Sequence, residues 1–145
     1  MKKLIIVFFV VLLFLFGCDT KKKEVVNVEA KEDLVMYEPS EMTVLMREMF
    51  EFQETSKKQI ENGELPNSFP EKFKKIHTAE LSDQFEHDES FQNFTKLYFM
   101  HIENLEKSTK EDAKQNFNIA INSCIACHQT TCRGPIVRIK KLLIK

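Results

Sequence analysis

The chain has 145 residues and a formal net charge of −1. That length suits one modest domain, and a near-neutral balance gives no electrostatic case for nucleic acid. No phosphate-cradling glycine loop, Ser/His/Asp set or supported carboxylate pair is present, so an enzyme is not expected.

Residues 1–17 place Lys2 and Lys3 before an unbroken apolar run from Leu4 to Phe16. About a dozen apolar residues are too few to span roughly 30 Å of hydrocarbon, so a removed signal peptide is expected. Leu15-Phe16-Gly17-Cys18 resembles the lipobox of bacterial lipoproteins. That resemblance implies lipidation of Cys18, cleavage just before it, and a lipid-anchored place on the periplasmic side of the cell envelope. The bilayer is then a partner through the acylated Cys18. An ordinary signal peptide or an uncleaved anchor is the alternative. Residues 18–37, with Lys21-Lys22-Lys23, read as a solvated tether. Export would put the remaining cysteines where disulfides persist and where bacterial c-type haem is attached.

Four stretches with a period near 3.6 follow. The first opens at Ser40, an N-cap candidate, and stops at Gly63; Met42, Leu45, Met46, Met49, Phe52 and Ile60 form its stripe. The second opens with the capping-box pattern Ser68-Phe69-Pro70-Glu71 and carries Phe73, Ile76, Leu81 and Phe85. The third begins near Asp88, with Phe91, Phe94, Tyr98, His101, Ile102 and Leu105 on one side. The fourth begins at Ser108-Thr109-Lys110-Glu111 and runs through Ala113, Phe117, Ala120, Ile121, Cys124, Cys127 and His128. Gly134-Pro135 must break it. The expected fold is therefore all-α, an antiparallel four-helix bundle over residues 38–133. Residues 134–145 form an extension, expected to pack rather than to touch lipid or a partner.

Three of the four cysteines lie in NSCIACHQTTCRG, residues 122–134. Cys124-Ile125-Ala126-Cys127-His128 is the C-x-x-C-H signature of covalent haem c. Two thiols add across two vinyl groups, and the adjoining histidine supplies the proximal ligand. A zinc knot needs four ligands, and Cys124, Cys127, His128 and Cys132 crowd them into nine residues near a helix end. A thioredoxin-like disulfide needs a βαβ setting that this helical chain lacks.

A helical chain whose one C-x-x-C-H lies in its last long helix resembles the class II cytochromes c, cytochrome c′ and its low-spin relatives. FNIAINSCIACHQTTCR is similar to that family's last helix and EMTVLMREMF to its first. The resemblance covers about Met42 to Arg133. It implies one haem held by Cys124, Cys127 and His128, with Met42 as the sixth ligand of a Met/His electron carrier serving redox proteins at the membrane. Met46 and His101 are the rivals for that ligand. A five-coordinate haem open to NO or CO is the alternative function, and a homodimer is possible within the family. The family's usual arginine, four residues after the histidine, is replaced here by Cys132, with Arg133 one later. Cys132 is expected to be a packed thiol, His77 and His87 to be solvated, and Phe91, Phe94 and Phe117 to pack around the haem.

Overall fold

The chain divides into two units, Met1–Met36 and Tyr37–Lys145. The structure, a computed structural model, describes residues 38–145 except Asp83, all within the second unit. The expected signal peptide, lipidated Cys18 and tether lie outside the described residues. Those described form an all-helical fold: α1 (Glu41–Glu61), a 3₁₀ segment (Glu71–His77), α2 (Glu89–Glu106), α3 (Ala113–Thr130), a single turn α4 (Ile136–Ile139) and a closing 3₁₀ turn (Lys140–Leu142). None of these helices is long and apolar enough to cross a membrane.

Helix α1 starts where Ser40 accepts a hydrogen bond from the Thr43 amide at 3.3 Å, satisfying one orphan donor of the first turn. It ends in a Schellman arrangement, with the Gly63 amide donating to Ile60 O and the Glu64 amide to Gln59 O. Gly63 makes that reversal at φ +77°, which a side chain would strain. The buried face runs Met42, Leu45, Met49, Gln53, Ser56, so its second half is polar.

The second expected helix folds as seven residues of 3₁₀ helix entered through Pro70, with no capping box. Its buried residues, Phe73 and Ile76, stand three apart, as does Ala79 beyond it. A spacing of three aligns side chains on a 3₁₀ helix and drifts on an α-helix, so burial here selects the tighter turn. Phe69, in the preceding loop, sits 5.6 Å from Phe52, 5.1 Å from Phe73 and 5.9 Å from Tyr98, ring centre to ring centre. Aromatic contact anchors this stretch more than regular hydrogen bonding does.

Helix α2 is capped by Asp88, which accepts from the Phe91 amide at 2.7 Å. It buries Phe91, Thr95, Tyr98, Ile102 and Leu105, leaving Phe94 and His101 half-buried on a neighbouring face. Helix α3 begins at Ala113, after a turn in which Thr109 Oγ1 donates to Asp112. The expected Ser108 cap instead donates from its hydroxyl to Asn104 O and accepts from Asn116. The short link between α2 and α3 makes them antiparallel neighbours.

Two clusters share the interior. The first gathers Met42, Leu45 and Met49 of α1 with Phe91, Tyr98 and Ile102 of α2 and Ala120 of α3. The second joins Leu105, Phe117, Ile121 and Ile125 to Ile139, Leu142 and Ile144. The tail thus packs Ile139, Leu142 and Ile144 inward, while Val137 stays 73% exposed. Asn118 fixes it through both backbone groups of Ile144, each at 2.9 Å, and Lys57 Nζ donates to Lys141 O.

Candidate functional site

Cys124, Cys127 and His128 occupy the last turns of α3, all half-buried. A spacing of three brings the two sulfurs to one side of the helix, and His128 follows one position round. Cys124, Cys127 and Cys132 are free thiols. Cys124 packs against both core clusters, and its Sγ lies 3.4 Å from Ala120 O.

His128 Nδ1 donates to the Cys132 carbonyl at 2.8 Å. A carbonyl can only accept, so in the neutral ring Nδ1 carries the proton and the Nε2 lone pair is free. This is how a metal-ligating histidine is usually held, by its other nitrogen. Burial pulls the His128 pKa down, against the pull of that carbonyl bond, which favours the neutral ring that a metal requires. The turn after α3 therefore aims the ring, with Arg133 Nε on Gln129 O at 3.0 Å bracing it.

Burial pushes the Cys124 thiol up to about 12, with Cys127 adding to it. Cys127 is raised by burial first and by Asp88 second. Both stay protonated near neutrality, so neither is an activated thiolate nucleophile. The antiparallel packing of α2 on α3 sets Asp88, at the start of α2, toward the end of α3. Among the described residues no three His, Cys, Asp or Glu side chains converge to hold a metal ion.

Met42 lies in the first turn of α1, 7% exposed, inside the cluster against which Cys124 packs. Met46 is half-buried on its edge and Met49 is buried within it. His101 is half-buried farther along α2. The aromatic expectations divide. Phe91 is buried near this end, whereas Phe117 belongs to the other cluster, eleven residues before His128 and so about 16 Å away along the helix. Phe94 lines an open groove of about 430 Å³ with Glu89, Ser90, Asn93 and Leu97 on the first half of α2. Leu97 exposes apolar surface there, and Met100 does so about one turn farther along the helix.

His77 and His87 are half-buried rather than fully solvated. His77 is stacked on Phe99 at 5.4 Å and bonded to Gln92 at 3.3 Å. His87 meets Phe91 edge-on at 4.9 Å, with its Nε2 enclosed and unpartnered among the described residues. Phe91 stands four residues after His87, so that contact was foreseeable, whereas Phe99 lies twenty-two residues from His77 and no local window contains it. Gln53, Ser56 and Thr95 are buried polar residues that an apolar count passes over. Position 53 follows Met49 by four and Met42 by eleven, so its place on the stripe was readable from spacing alone.

Comparison with family models, with curated proteins and with solved structures gives no match to this chain.

Proposed function

We propose that this chain is a membrane-tethered monohaem c-type cytochrome, a single-electron carrier of class II type in which a 3₁₀ segment takes the place of the second of four bundle helices. The observation that carries it is the His128 geometry: Nδ1 is tied to Cys132 O, leaving Nε2 free beside two free thiols at C-x-x-C-H spacing. The donor set suits haem c. Cys124 and Cys127 would hold it covalently, His128 would be its proximal ligand, and Met42 its sixth. When bound, such a haem takes up and releases one electron. The chain's own part is to orient His128 through the Cys132 carbonyl and to keep water from the cysteine turn by packing it against the core. Asp88 adds negative charge beside Cys127.

Lipidation at Cys18 would keep the domain near redox proteins of the membrane, reached over the tether. The five-coordinate, NO- or CO-binding alternative gains from one observation, that Met42 is already committed to packing with Leu45 and Met49.

The test is to express the full chain with haem-maturation machinery and record oxidised and reduced spectra. Haem that survives denaturing extraction, with low-spin bands altered in Met42→Ala, is the expected result. A high-spin spectrum that moves with carbon monoxide would retire Met42 as a ligand and favour gas binding. Haem lost on denaturation would overturn the reading. Metabolic labelling with a fatty-acid probe, lost in Cys18→Ser, tests the anchor.

A further inference from the structure

The chain from residue 133 onward is charged differently from the domain that carries it. Residues 133–145 hold five Lys and Arg and no Asp or Glu, whereas residues 38–132 hold ten Lys and Arg against seventeen Asp and Glu. Burial of Ile139, Leu142 and Ile144 accounts for the inner side of this segment. Nothing in that packing fixes the sign of the outward positions. Yet Arg133, Arg138, Lys140, Lys141 and Lys145 are all cationic and all exposed. The ion pairs among the described residues include none of them. An acidic domain thus carries a positive segment that it does not neutralise at close range.

The segment is also held in place. Asn118 bonds both backbone groups of Ile144, Lys57 Nζ donates to Lys141 O and Leu143 O, and Lys114 Nζ donates to Lys145 O. Those two lysines bring further ammonium groups beside the tail, with Glu61 at 3.8 Å from Lys57 as the nearby counter-charge. Arg138 stands over the Phe50 ring of α1, 3.9 Å from its centre. Cations on a fixed backbone meet a charged surface together, with little chain ordering to oppose the contact. Val137, beside Arg138 in the turn of α4, is 73% exposed. A hydrated acidic protein surface gives such a side chain nothing to enter. An anionic bilayer gives the cations phosphates and gives the valine the apolar boundary just beneath them.

We propose that residues 133–145 form a docking surface for an anionic lipid bilayer. Arg133, Arg138, Lys140, Lys141 and Lys145 meet headgroup phosphates, and Val137 enters the boundary below. The inference is independent of the haem reading, and loss of that reading leaves it standing.

The experiment is lysine footprinting on the full chain as the cell processes it. The chain is mixed with vesicles of phosphatidylcholine alone, or of equal parts phosphatidylcholine and phosphatidylglycerol, and acetylation is followed by mass spectrometry. Because the readout is local, it serves with or without an acyl anchor. Acetylation of Lys140, Lys141 and Lys145 is expected to slow about five- to tenfold on the anionic vesicles only. The slowing should vanish at high salt, and Lys72 and Lys74 of the 3₁₀ segment should keep their rates. Each cation lost weakens binding about fivefold, so Lys140→Gln with Lys141→Gln should bring the slowing of Lys145 below about twofold. Both positions are exposed, and the urea midpoint of that variant should match wild type. No slowing, equal slowing on both vesicles, or slowing of Lys72 and Lys74 in place of the tail would overturn the proposal. Slowing by soluble polyglutamate without slowing by anionic vesicles would overturn it in favour of an acidic protein partner.

Discussion

The two ends of the interior are built differently. The cluster around Leu105, Phe117 and Ile121 is apolar throughout, closed by Ile139, Leu142 and Ile144, and fastened by Asn118 and Lys57 to tail backbone. The cluster around Met42 and Phe91 also meets half-buried Cys124, and encloses Gln53, Thr95 and Tyr98. One end is arranged for cohesion. The other accepts desolvated polar groups and an open groove, features that cost stability and that chemistry at His128 would use.

Truncating one phenylalanine at each end is the strongest way to break that contrast. Phe117→Ala, at a fully buried site, should cost about 3–5 kcal/mol in urea unfolding. Phe94→Ala, in the groove, should cost under about 1 kcal/mol; equal costs would erase the distinction. Next in size, Asn118→Ala leaves both Ile144 backbone groups without their partner and should cost about 1–3 kcal/mol. Proteolysis should then cut within the tail first. Gly63→Ala, forced to keep φ +77°, should cost about 1 kcal/mol and leave the cysteine end unchanged by thiol-reactivity assay.

The last prediction concerns the shape of a pH profile and separates the ends by chemistry. Cys124 is raised from an ordinary 9.0 to about 12 in the folded chain. Without haem, the unfolded thiol ionises first, so stability is full below about pH 9 and is lost as pH rises toward 12. Cys124→Ala should reduce that alkaline limb, and thioether formation should remove the shares of both Cys124 and Cys127, leaving that of Tyr98, which burial also raises. His128 works on the other side. Its folded pKa is lowered, so the unfolded ring binds a proton first and stability falls as pH drops below about 6.5. Urea midpoints measured from pH 5 to pH 11 on haem-free chain check both limbs.

Several of these features can be read before any coordinates. Ser40, Gly63 and Asp88 mark helix ends because capping chemistry is local, needing a side chain and an amide three residues apart or a reversed φ. The cysteine turn is equally local. The 3₁₀ segment is harder to foresee, because Phe73 and Ile76 fit both periods and the tie is broken by Phe69, Phe52 and Tyr98, which are distant in sequence. Gln53 and Thr95 are hidden for a different reason. Both stand at stripe spacing, but their polarity conceals it, and the partners that satisfy them, Tyr98 for one and His77 for the other, lie in no window of neighbouring residues.

The 3₁₀ segment also has a consequence in time. Glu71–His77 is held by rings and by poorer hydrogen-bond geometry than the α-helices beside it, so it is the stretch best suited to open by itself. Amide protons there should exchange with solvent well before those of α2 and α3. Each opening would uncover Phe73 and Ile76 on the flank of α1 that carries Met49, letting small molecules reach the interior without global unfolding.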